Sequence, residues 1–160
     1  MPPVRMTNLH LEPGEEPLGL DELIAGVDDG LYLETNRSWS IDDKRLNFQF
    51  GTQVAWEIVD GKLGRMLRDA TYTGITPRFW GSMDAVGNRD AWRLHGLTNC
   101  GKGQPGQTAH VSHGTAPARF RVATGGVECR LSDIACLHLR TPTCTFLNRA
   151  GDAPCDTCAL

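Results

Sequence analysis

The chain has 160 residues, 40% of them apolar and 22% charged, the make-up of one globular domain or part of a larger one. Sixteen Lys and Arg against 19 Asp and Glu leave a formal charge of −3, which argues against a nucleic-acid or anionic-membrane surface as partner. No run approaches the ~18 apolar residues of a membrane span. The opening M-P-P-V-R lacks the apolar core of a signal peptide, so the cytoplasm is the expected compartment.

Residues 1–18 carry Pro2, Pro3, Pro13 and Pro17 and read as an extended lead-in with a short strand around Leu9 and Leu11. Leu20, Leu23, Ile24 and Val27 recur at helical spacing, which predicts a helix over 20–29 ended by Gly30. Alternation then predicts strands at Leu31 and Leu33, at Leu46, Phe48 and Phe50, and at Val54, Trp56 and Ile58. Asp60-Gly61 is a two-residue hairpin turn, with residues 62–73 as the returning strand. Thr76 as N-cap and Pro77 at the first helical position start a second helix. Its buried stripe is Phe79, Trp80 and Met83, and Gly87 ends it. Trp92 and Leu94 open a strand that runs into a glycine-rich loop, and Ala109, Val111, Phe120 and Val122 suggest closing strands. The expected fold class is α+β, mostly antiparallel sheet with two short helices, the sheet curling into a barrel. Residues 122–160 lack a sustained period and form an atypical cysteine-rich tail behind a domain spanning 1–121.

The loop T-N-C-G-K-G-Q-P-G-Q (98–107) holds Cys100, the only cysteine before residue 129. A thiol between side-chain-free neighbours at a loop tip can reach a metal or a substrate, whereas a packing thiol sits more often in an apolar run. The residues alone leave three uses open. As a nucleophile, Cys100 would need His95, His110 or His113 as base. As a metal ligand it would need two or three partners, and His110 and His113, three apart, face opposite sides of a strand. It could also be unligated. G-L-T-N-C-G-K (96–102) fits the outline of a phosphate loop, but Gly103 replaces the hydroxyl that holds Mg²⁺, and G-Q-P-G-Q opens no helix. The tail's C-D-T-C (155–158) has no suitably spaced second pair in Cys129 and Cys136. Asp28-Asp29 and Asp42-Asp43 read as solvated caps and turns. No self-contained catalytic set emerges.

Five ordered segments carry a family resemblance: R-M-T-N-L-H-L-E-P-G (5–14), D-E-L-I-A-G-V-D-D-G-L-Y (21–32), F-Q-F-G-T-Q-V-A-W-E-I-V-D-G-K-L-G-R-M-L-R-D-A-T-Y-T-G (48–74), W-G-S-M-D-A-V-G (80–87) and the Cys100 loop. Together they resemble the C-terminal half of the TldD/PmbA metallopeptidases, the TldD-like type in particular. In that family the N-terminal half carries H-E-x-x-x-H, whose histidines bind zinc and whose glutamate is the general base. The resemblance makes Cys100 the third zinc ligand. It makes Asn99, Gly101, Lys102, Gly103 and Gln104 its substrate-side loop.

This sequence has no H-E-x-x-x-H, and no glutamate adjoins any of its five histidines. The resemblance therefore implies a chain that holds zinc only together with a missing half, or with a family subunit in a dimer or heterodimer. It implies a peptide substrate and no hydrolysis by the chain alone. The alternatives are a non-enzymatic regulatory module or a truncated gene product. The shift in character after Arg121 also predicts that the tail reads from a shifted frame; translating the other frames tests this.

Overall fold

The computed structural model describes residues 7–102, 105–127 and 144–149, with the side chains at 122, 124, 126–127 and 144–149 excepted. The elements run β1 (Leu9–His10), α1 (Leu20–Ala25), β2 (Asp29–Ile41), β3 (Asn47–Val59), β4 (Lys62–Leu67), β5 (Ala70–Ile75), α2 (Thr76–Gly81), β6 (Met83–Val86), β7 (Arg93–Lys102), β8 (Gln107–Thr115), β9 (Ala118–Val127) and β10 (Cys144–Arg149). The fold is α+β and mostly antiparallel, with two short helices, as expected. The strands fall into two sheets. One has the order β1-β8-β7; the other runs β10-β2-β3-β5-β9-β6, with β4 also on β3 and β10 also on β9. Closure into a barrel is not established by this order.

Helix α1 is six residues long, too short to persist alone in water. Its stability comes from Leu23 (0% exposed) and Ile24 (6%), buried against Val27, Tyr32 and Ile58. Each such burial contributes roughly 1.5–3 kcal/mol. The helix stops at Gly26, not at the expected Gly30. Gly30 lies inside β2, paired with Ile58, because the strand's long ladder to β3 outweighs local helical spacing.

The two central strands predicted around Phe48 and Trp56 are one, the 13-residue β3. Gly51-Thr52-Gln53 interrupts the alternation because Thr52 is itself buried, its hydroxyl donating to the Ala70 carbonyl at 3.1 Å. The Asp60-Gly61 turn forms as expected, with φ positive at both residues (49° and 72°). The returning strand is broken at Asp69 (φ 51°) into β4, on Ala55–Val59, and β5, on Asn47–Gly51.

The second helix is also shorter than predicted. Its N-cap is Ile75, Thr76 lies inside it, and it ends at Gly81. Met83 belongs to β6, which pairs with β9 instead of extending the helix to Gly87. Phe79 remains in the core as expected, edge-on to Phe48 with centroids 5.1 Å apart and packed with Phe120. Strand β9 continues past Arg121 to Val127, and Cys144–Arg149 forms β10, parallel to β2, in a tail whose sequence carried no periodic signal.

Candidate functional site

Cys100 is placed by the β7–β8 hairpin. The chain does not present it at a loop tip: it lies within β7, opposite Ala109, and is 1% exposed. The ladder continues beyond it, with Gly101 opposite Thr108 and Lys102 opposite Gln107. Gly-rich composition suggested a mobile loop, but cross-strand pairing captures the segment through Lys102. Asn99 and Lys102 are exposed and Gly101 is half-buried. Gly103 and Gln104, also expected at the site, lie outside the described residues, as do the side chains of all the tail cysteines.

A bulge sets the direction of Cys100. Leu97 pairs with Val111 and Cys100 with Ala109, so three steps on β7 match two on β8. In a regular strand Leu97 and Cys100 would face opposite sides. The Thr98-Asn99 bulge puts them on one face, with His95, Ala109, Val111 and His113. That face is the buried one: Val111 is 7% exposed, whereas Leu94 on the other side is 56% exposed.

The histidines do not assemble around the sulfur. His95 and His113 sit directly opposite each other on the shared face. At ~3.3 Å per residue, the four positions from Ala109 to His113 put that pair ~13 Å from Cys100. Zinc–ligand bonds are only ~2.0–2.3 Å long, so a common metal or a Cys–His catalytic pair is geometrically excluded here. His110 falls on the opposite face from His113, as their spacing predicted. Among the described residues no three His, Cys, Asp or Glu side chains come together as a metal site.

The Cys100 sulfur is in a disulfide. A half-cystine has no thiolate to donate, so Cys100 fits a metal site as one donor only, and only when reduced. Cys100 is therefore not the exposed loop thiol expected from the sequence.

Two carboxylates have structural work: Asp42, which the sequence singled out, and Asp84, which it did not. Asp42 closes the β2–β3 turn, its Oδ1 accepting from the Leu46 N–H at 2.7 Å and its Oδ2 from Asn47 Nδ2 at 2.7 Å. The side-chain bond from Asn47 and the Leu46 amide hold its carboxyl below the ordinary value. Asp84 accepts from Arg119 Nε at 2.8 Å and from Arg121. Burial pushes this carboxyl up, but the two guanidinium bonds outweigh it and the net shift is downward. Asp84 also lines a shallow cleft of about 280 Å³ with Glu15, Glu16 and Met83, which shares no residue with the Cys100 sheet.

The short strand expected around Leu9 forms as β1 (Leu9–His10), but sequence reasoning missed that it flanks this hairpin. β1 joins β8 in parallel, Leu9 opposite His113 and His10 opposite Gly114. Its attachment uses side chains as well as backbone. Asn8 Oδ1 accepts from Ser112 N–H (2.9 Å), His113 Nδ1 from Leu9 N–H (3.2 Å) and His10 Nδ1 from Gly114 N–H (2.9 Å). A pairing across 104 residues leaves no local pattern to read.

Among the described residues no helix is long and apolar enough to cross a membrane. Residues 1–126 match the model of the PmbA/TldA metallopeptidase C-terminal domain. A metalloprotease of Methanothermobacter thermautotrophicus is 34% identical over 125 residues, covering 78% of this chain and 26% of that protein. A metalloprotease of Archaeoglobus fulgidus is 29% identical over 126 residues, 79% of this chain and 28% of its own length. A TldD homologue of Buchnera aphidicola is 29% identical over 126 residues, 79% and 25%. The chain thus spans about a quarter of the length of the curated relatives it matches. With a matched segment that runs from β1 into β9 and contains the bulged Cys100 hairpin, this chain belongs to the PmbA/TldD metallopeptidase family and carries its C-terminal domain.

Proposed function

We propose that this chain is the C-terminal domain of a zinc metallopeptidase, supplying the Cys100 thiolate as one metal ligand and one wall of a peptide cleft. The observation that carries the reading is the Thr98-Asn99 bulge, which spends two residues to turn a single sulfur onto a buried face. Bulges of this kind re-aim side chains beside active sites. The bound zinc would polarise the scissile carbonyl and lower the pKa of a bound water. The chain's own residues do the rest. β7 has β8 on one side and no strand on the other among the described residues. Its outer edge can pair with an extended peptide through backbone groups, which suits substrates of many sequences. Asn99, Gly101 and Lys102 flank the sulfur along that edge.

The remaining donors and the general base come from an H-E-x-x-x-H half or a family subunit, so the chain by itself does not hydrolyse peptides. The test is to combine the 160-residue chain, kept reduced, with the H-E-x-x-x-H half of a relative. Zinc content and cleavage of a flexible peptide are then measured for the wild type and for Cys100→Ser. The expected result is zinc and cleavage in the wild-type mixture, with both lost in the variant. Equal zinc in the two mixtures removes Cys100 from the site.

The disulfide favours a second reading, in which the domain is a non-enzymatic partner of a family subunit and Cys100 is a structural half-cystine. In that case reduction lowers stability and brings no zinc.

A further inference from the structure

We propose that β1 is held on β8 by a proton-sensitive histidine clasp, which releases the N-terminal strand on acidification. Two of its three side-chain bonds end on an imidazole Nδ1 that accepts a backbone N–H: His113 from Leu9 at 3.2 Å and His10 from Gly114 at 2.9 Å. A ring nitrogen that accepts must hold a lone pair, so both rings are neutral with the proton on Nε2. An imidazolium donates from both nitrogens and accepts at neither. Protonation therefore removes both bonds and sets two N–H groups against two N–H groups. Imidazole is the side chain whose charge ordinarily responds to mild acid.

The surroundings favour release once the rings charge. His95 faces His113 across β7–β8, so a third imidazole lies beside the clasp. His10 lies against Trp92 with centroids 5.8 Å apart, and Arg89 covers that indole at 5.5 Å. Arg93 is bonded to the carbonyls of Asp90 and Trp92. His110 extends from the other face of β8, and Glu12 follows the strand. Among the described residues neither Glu12 nor Asp90 is in an ion pair. His10 is exposed, so solvent protons reach it without prior opening. What stays is neutral: the Asn8–Ser112 bond, the Leu11 N–H to Gly114 carbonyl bond at 2.8 Å and the Trp92 indole to Leu11 carbonyl bond at 3.0 Å. The strand consequently hinges at Leu11, and release uncovers the β8 edge.

Amide exchange by NMR on the full chain, expressed as protection factors, tests this at pH 7.5 and 5.0. Protection of Leu9 and Gly114 should fall at least tenfold at pH 5.0, while Leu33 and Ile58 in the β2–β3 ladder hold. In His10→Asn/His113→Asn, whose Oδ1 stands where Nδ1 stood and does not titrate there, the fall should disappear. Unchanged protection in the wild type, an equal fall in the double variant, or joint loss at Ile58 each overturns the proposal. Ring ¹⁵N shifts give an independent check at pH 7.5: Nδ1–H tautomers at His10 and His113 would also overturn it.

Discussion

Gly114 sits where β1, β8 and Trp92 meet, and it leaves no room for a side chain. A Cβ there would lie 1.8 Å from a carbon of the Trp92 ring and 2.7 Å from His10 Nδ1. The indole cannot retreat without giving up its bond to the Leu11 carbonyl. Gly114→Ala should therefore destabilise the domain by about 1–3 kcal/mol, read as a lower urea midpoint at unchanged slope. Asp84 makes a prediction of a different kind. Its carboxyl is held below the ordinary value by Arg119 and Arg121, so the folded state binds its proton less well than the unfolded chain. That contribution is complete above the ordinary carboxylate value of ~3.9 and is lost as pH falls through the lower folded value. Asp84→Asn should lower stability at pH 7, where two guanidinium groups lose their acceptor, and should differ less from wild type at pH 3. Denaturant melts of both proteins at the two pH values check the sign. At this scale much was legible: Cys100 stood out by isolation and glycine neighbours, Asp60-Gly61 by turn chemistry, and Asp42 as a turn cap. Burial of Cys100 was not, because it depends on what β8 brings to the other side of the ladder.

The bulge is the element-scale device on which the site depends. Deleting Asn99 alone leaves Leu97 and Cys100 two positions apart, so a regular ladder keeps the sulfur on the buried face, whereas deleting Thr98 and Asn99 together makes them neighbours and turns position 100 to the exposed face. In reduced protein, maleimide labelling followed by peptide mapping should find Cys100 slow to react in the wild type, where it is 1% exposed, slow in the single deletion and fast in the double deletion. Equal rates in the wild type and the double deletion would mean that this alternation does not set the sulfur's direction. The same element-scale logic explains where periodicity reading succeeded and failed. It found α1 through Leu23 and Ile24 and found β3 through Phe48 and Trp56, because those residues alternate or recur as buried faces require. It overran both helices. Val27 and Met83 continue a helical pattern in one dimension, but β2 from Asp29 and β6 from Met83 are claimed by β3 and β9 in three. It found the short strand β1 but not its place beside β8, and it lost β10; both have parallel partners far along the chain.

At the scale of the whole molecule, the domain has its own buried core, and its described residues bring no metal-binding set of side chains together. Three clusters of buried side chains support the large sheet, while Cys100 lies in the small one. No second or third donor accompanies that sulfur among the described residues. A metal bound through one thiolate is weak, because structural and catalytic zinc sites take three or four protein donors. The purified chain should accordingly retain no stoichiometric zinc after dialysis and show no chelator-sensitive peptidase activity, whether oxidised or reduced. Mixing it with an H-E-x-x-x-H half should change this only for the reduced form. The disulfide at Cys100 and a zinc–sulfur bond use the same electron pair, so oxidised chain leaves the assembled centre one donor short. Zinc retained per complex, measured by elemental analysis with and without a phosphine reductant, should differ by at least tenfold; loss of one ligand is expected to matter that much, since even outer-shell partners alter affinity by ~10–100-fold. Equal zinc in both redox states would mean that the sulfur never joins the metal, and would leave Cys100 as a fastening between β7 and the rest of the chain.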